Sequence, residues 1–131
     1  MRIEGKWPSA ELAVLRWLTE QLAADGGPAV TVRTELSAQW SGLTVLVEQT
    51  PGRGGAAYDG LASVDVTAFG PDRVAVGELV ARIEPRMVEL PGRGAVMIDD
   101  VEQSRAFGFI PYANPGVRRS VATYVLTSRP Q

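Results

Sequence analysis

Leu12, Leu15, Leu18 and Leu22, with Val14 between them, recur every three to four positions, the spacing of one buried stripe on a helix. Glu11, Arg16, Glu20 and Gln21 fall mainly on the opposite face. Trp7-Pro8-Ser9 marks the start: Pro is tolerated in a first turn, where its missing N–H costs nothing, and Ser9 can cap the free donors. Asp25-Gly26-Gly27-Pro28 marks the stop, because Gly permits a left-handed cap and Pro cannot continue the helix. The pattern predicts a helix over residues 8–24. The period then drops to two. Residues 29–34 are a short β-branched run, 43–49 a second strand, and 61–69 a third. In the third, Val64, Val66 and Ala68 share one face and Asp65, Thr67 and Phe69 the other.

A second helical stripe, Val76, Leu79, Val80, Ile83 and Met87, follows Gly70-Pro71-Asp72 and ends near Leu90-Pro91-Gly92. Asp72 suits the positive end of the helix dipole. Pro85 lies inside this stripe and is expected to kink or restart the helix, since it removes the backbone bond to Ala81. The last two strands are expected at residues 95–104 and 118–128, with 107–116 between them as an aromatic-rich turn region. Strands in consecutive pairs with two amphipathic helices predict an α+β fold: a mainly antiparallel β-sheet with two helices packed on one face, in the order α-β-β-β-α-β-β. The chain of 131 residues is read as a single domain, 1–131, large enough for a core without staples.

Composition changes the picture by subtraction. There is no cysteine and no histidine, so disulfides, thiolate zinc sites, a Ser-His-Asp triad and a Cys-His pair are excluded within this chain. The balance of 13 basic and 15 acidic residues, a net charge of −2, argues against a dedicated nucleic-acid binder, which carries a basic surplus. Lys6 is the sole lysine among the 13 basic residues. A GC-rich coding genome accounts for that bias; selection of arginine for bidentate or stacked contacts is the functional alternative. No apolar run approaches the ~20 residues that span a bilayer, and no apolar segment follows Met1 to Lys6, so no membrane partner is expected.

Several groups invite a chemical reading. Pro51-Gly52-Arg53-Gly54-Gly55 follows a strand, and consecutive glycine amides cradle anions; but a P-loop needs Gly-Lys-Ser/Thr leading into a helix, and here Asp59-Gly60 leads into another strand. A hairpin tip, free or docked on a partner, is the simpler account. Asp99 and Asp100 point to opposite faces of a strand and cannot share a proton or a metal. No spacing gathers Glu35, Glu48, Asp59 and Asp65 around Mg²⁺. Lys6, needed for Ser/Lys catalysis, lies at the N-terminus. No enzyme activity and no cofactor or metal are expected. Trp7, Trp40, Phe107, Phe109 and Tyr112 lie at element ends or in loops, where large aromatics serve as contact residues; Trp17 belongs at the edge of the core. Arg118 and Arg119, adjacent on a strand, face opposite ways, so one packs along the sheet while the other meets a partner, unless both merely defend an edge strand. The candidate subunit or partner interface is therefore Trp40, Arg53, Tyr58, Phe109, Tyr112, Arg118 and Arg119.

The layout resembles the tail terminator proteins of long, non-contractile-tailed bacteriophages, particularly those infecting actinobacteria. The resemblance spans nearly the whole chain: the helix with its Gly-Pro stop, the glycine loop with Tyr58-Asp59 leading into Val64-Asp65-Val66-Thr67-Ala68-Phe69, the helix from Asp72 to Leu90, and the C-terminal stretch Phe109 to Arg129. Its most specific part reads Pro-Tyr-x-x-Pro-Gly-x-x-Arg-x-x-x-x-Tyr, here Pro111 to Tyr124. The resemblance implies a virion protein of the tail and neck, assembled in the host cytoplasm as a homo-oligomer, a hexameric ring on the head-proximal end of the tail tube. Such a ring stops polymerisation of the tail tube protein and presents a surface to the head-completion or stopper protein; DNA passes through the lumen without specific binding. A cyclic ring needs two different patches per subunit: the 50–60 loop with Trp40 for one, and the Arg118-Arg119 strand for the other. Pro85, Trp7 and Trp40 have no counterpart in the resemblance. A head-tail stopper or other tail-completion protein, a small monomeric ligand-binding α+β domain, and a Mg²⁺-dependent hydrolase remain the alternatives.

Overall fold

A computed structural model describes residues 9–36, 42–50, 61–93, 98–114 and 116–128. The first helix, α1, covers Ala10–Ala24, with Ser9 as its N-cap; the Ser9 side chain accepts from the Leu12 amide at 3.2 Å. Its buried stripe is Ala10, Ala13, Val14, Trp17, Leu18 and Leu22, rotated from the leucine stripe expected. Leu12 is exposed. Trp17, the wider apolar surface, takes the inward position and brings its indole N–H to the Arg86 carbonyl at 2.6 Å. Burying the ring is favourable because that N–H has a partner.

Five strands follow the expected order: β1 (Thr31–Arg33), β2 (Thr44–Gln49), β3 (Leu61–Gly70), then helix α2 (Arg73–Glu89), β4 (Ile98–Ile110) and β5 (Arg118–Ser128). In space they run β1-β2-β3-β5-β4. All pairs are antiparallel except β1 with β2, which is parallel. The alternation in β3 is as read: Val64, Val66 and Ala68 join the core with Val45 and Val47 of β2 and Ala122, Tyr124 and Leu126 of β5, against Val76, Leu79, Ile83 and Met87 of α2. Asp65, Thr67 and Phe69 lie on the other face, where the Thr123 hydroxyl donates to Asp65 at 2.7 Å.

Three expectations change. β4 continues through Phe107, Gly108 and Phe109 to Ile110, where a turn was expected, so the connection to β5 begins at Pro111. It reaches that length because thirteen residues of β4 lie against ten of β5, with register shifts between Ile98 and Asp100, Gln103 and Arg105, and Arg105 and Gly108. Each is a β-bulge that admits one extra residue and breaks simple alternation. The second change is that β5 is interior, between β3 and β4, so Arg118 and Arg119 do not guard an edge. The third is α2, which runs through Pro85 without a restart. Asp72 caps it, its side chain accepting from the Ala75 amide at 2.8 Å. At the other end the Leu90 amide bonds Met87 rather than Arg86, which leaves the Arg86 carbonyl for Trp17.

The two helices are also tied by charge. The Arg82 guanidinium meets both Asp25 oxygens at 2.9 Å and donates to the Leu22 carbonyl at 3.2 Å. Asp25 further accepts from the Gly27 amide at 2.9 Å. These bonds, that of Arg82 first, lower the Asp25 carboxyl to about 2. Gly26, at φ +78°, carries the left-handed turn. Gly27 is a glycine for a different reason: a Cβ there would stand 2.7 Å from Arg82 Cζ.

Candidate functional site

The C-terminal end of β4, the start of β5, the end of β3 and the first turn of α2 converge at one end of the sheet. Register requires it: Ile110 pairs with Arg119, Phe69 pairs with Arg119 across β3, and Gly70 pairs with Arg118. Four sequence-predicted interface residues meet there, Phe109, Tyr112, Arg118 and Arg119.

Strand alternation divides the two arginines. Arg119 points to the face away from the helices, next to Phe69. Its guanidinium lies 5.1 Å from the centroid of the Tyr112 ring and donates to the Pro111 carbonyl at 3.0 Å. Tyr112 in turn packs edge-on against Phe69, with centroids 5.4 Å apart. Phe69 is buried, so this stack anchors the connection after β4 to the sheet. Arg119 is thus a fastener, with its Nε buried. Arg118 faces the other way and is exposed; its Nη1 donates to the Val117 carbonyl at 3.4 Å.

On the helix side of the same end, Arg73 lies 4.1 Å above the Phe109 ring. Phe109 remains 39% exposed, and Val74 beside Arg73 is 71% exposed. An exposed aromatic under a guanidinium is an amphipathic contact surface of the type that dominates protein interfaces. Arg73 was not singled out from sequence. The sequence signal for it is its place at the first helical position behind Gly70-Pro71-Asp72; no local pattern shows that Phe109 lies across from it.

The remaining candidates, Trp40, Arg53 and Tyr58, lie outside the described residues, as do Trp7 and the glycine loop. Phe107 packs on the core, edge-on to Tyr124 with centroids 6.4 Å apart. Tyr124 is held by Gln103, whose amide donates at 3.0 Å to the phenol oxygen and at 3.0 Å to Glu84. Burial, eased by the Gln103 bond and reinforced by the Glu84 charge, pushes the Tyr124 phenol up to about 12.

Among the acidic residues, Glu48 and Asp65 sit opposite one another across β2 and β3. Among the described residues, no group of three or more carboxylates is placed to hold a metal ion. The bulge at Asp99 also alters the reading of the Asp99-Asp100 pair: Asp100 and Glu102 pair with Thr127 and Val125 and so share one face of the edge strand. A cleft of about 270 Å³ opens between Pro28, Leu43, Pro71, Ala75 and Leu79, with Glu78 and Arg82 at its rim. Arg82 is engaged with Asp25, which leaves this cleft mostly apolar. Among the described residues, no helix is long and apolar enough to cross a membrane. No known protein-family model matches the chain, and no curated protein matches it either.

Proposed function

We propose that this chain is a structural, non-enzymatic virion protein: a phage tail terminator that forms a ring on the head-proximal end of the tail tube, stops its polymerisation and joins the tail to the head-completion proteins. The observation that carries this reading concerns the segment with the most specific resemblance, Pro111 to Tyr124. Its Tyr112 and Arg119 pin the β4–β5 connection to Phe69, and that anchoring supports an outward surface of Phe109, Arg73 and Arg118 at the same end. A rigid base beneath an exposed aromatic and two arginines suits a permanent protein contact, because little side-chain freedom is left to lose on binding.

The reading is tested in particles. A tagged chain should localise to the neck as a ring between head and tube, and particles lacking the chain should carry tails of uncontrolled length. Replacing Arg118 with Glu should disturb tail length while the isolated protein melts as before. Arg119→Glu is a poorer probe, since it removes the fastener on Tyr112 and Pro111. Tails of normal length without the chain, or its absence from the neck, overturn the proposal. A ring on the head side of another terminator identifies a head-tail stopper instead.

A further inference from the structure

The two ends of the β4–β5 ladder carry opposite charge. At one end stand Arg73, Arg118 and Arg119, with Asp72 engaged in capping α2. At the other, the exposed carboxylates of Asp99, Asp100 and Glu102 line the start of the edge strand β4. Arg93 in the preceding turn and Arg105 further along the strand offset part of this charge. Glu48 and Asp65 on the same open face restore it, leaving that half negative. The positions pairing with Ile110 and with Asp100 are eight residues apart along β5, which is roughly 25–30 Å. The basic and acidic ends therefore cannot meet within one subunit.

α2 leaves two large apolar side chains exposed along its length. Val74 and Val88 are 71% and 73% exposed. They are fourteen positions apart, close to four full turns, and so lie on one face of the helix. Val74 is beside Arg73. Val88 lies near the far end of α2 on the helix side, whereas Asp100 and Glu102 share the open side with Thr127 and Val125.

We propose that the Arg73-Phe109-Arg118 end of one subunit docks on the Asp99-Asp100-Glu102 end of a second copy, head to tail. This rests on the ring reading and names the surfaces that would build it. A contact between two different patches of one chain is heterologous; repeated by rotation it closes a ring, and it uses neither face of the sheet twice. Opposed charge sets orientation and excludes the head-to-head pairing, in which arginine would meet arginine. Phe109 and Val74, exposed beside the arginines, supply the apolar part of the contact.

The test is a charge exchange on the full-length protein, followed by sedimentation velocity over a concentration series at low and high salt. One variant carries Arg73→Glu and Arg118→Glu, the other Asp100→Arg and Glu102→Arg. All four positions are exposed, and thermal melts check that each variant folds. Wild-type protein should associate, more weakly as salt rises. Each variant alone should associate at least tenfold more weakly. An equimolar mixture should recover association, because each reversed end then finds a complementary partner. If wild type assembles and both variants assemble equally well, this interface is wrong while the ring reading stands. If wild type stays monomeric throughout, self-docking through these ends is overturned, and the ring reading is decided by localisation at the neck. A labelled oligonucleotide is titrated in parallel: binding lost on Arg73→Glu with Arg118→Glu, without change in self-association, would assign the basic end to nucleic acid and overturn the proposal.

Discussion

Asp25→Asn tests the link between the two helices in a way that pH can resolve. The substitution keeps the size of the side chain and an oxygen for the Gly27 amide, but removes the charge that both nitrogen contacts of Arg82 address. Arg82 would keep the oxygen shared with Gly27, now uncharged, and the Leu22 carbonyl at 3.2 Å, and would lose its Nε contact; its side chain is 16% accessible and that of Asp25 10%. The carboxyl falls from 3.8 to about 2 on folding. Linkage alone would make that about 2 kcal/mol, and solvent at the rim of the pair reduces it to about 1 kcal/mol. The sign follows from the direction of the shift. A carboxyl depressed by folding stabilises the native state above its unfolded value, near 4, and loses that contribution as pH falls through about 2. Urea unfolding at pH 7 should therefore show Asp25→Asn less stable by about 1 kcal/mol, a loss of roughly 3–6 °C in Tm for a chain of this size. The gap should narrow between pH 4 and pH 2. A gap that is constant over that range, or absent at pH 7, would refute the assignment of the helix–helix tie to this ion pair.

Two further outcomes follow from the same packing. Gly27→Ala should cost about 1–2 kcal/mol, because its Cβ displaces the Arg82 guanidinium. Combined with Asp25→Asn it should add less than the sum, since both disturb one contact; strict additivity in the double-mutant cycle would count against the steric account. Tyr124 titrates upward on folding, from 10 to about 12, so its neutral form stabilises the fold below pH 10 and that contribution is lost as pH rises toward 12. Alkaline unfolding should accordingly be less steep in Tyr124→Phe, which has no phenol to ionise; an unchanged alkaline profile would place the lability elsewhere.

The interface outcomes depend on geometry rather than on stability, and they separate two roles that neighbouring residues share. Arg119 and Tyr112 act on the chain itself, fastening a connection to Phe69. Arg118, Arg73 and Phe109 are exposed, and the proposed contact assigns them to a second subunit. Substitution of the first pair should lower stability and alter assembly together, whereas substitution of the second group should alter assembly alone.

Local chemistry placed most of the elements. Ser9 and Asp72 act as the caps their residue types and positions suggested, because a cap needs only a short oxygen beside free amides within three residues. The alternation in β3 is equally plain, since a pleat with one dry face admits one register. Loss of simple period hid the rest. Three bulges carry β4 past Phe107, and no pattern of twos or threes marks a strand that changes phase three times. The place of β5 inside the sheet, and hence the fate of Arg119, depends on strand order. Strand order is set by which hydrophobic faces close over the helices together, not by any residue near Arg119. The meeting of Arg73 with Phe109 is of the same kind: residues 36 positions apart in sequence come within 4.1 Å only because the turn into α2 and the end of β4 fall at the same end of the folded sheet.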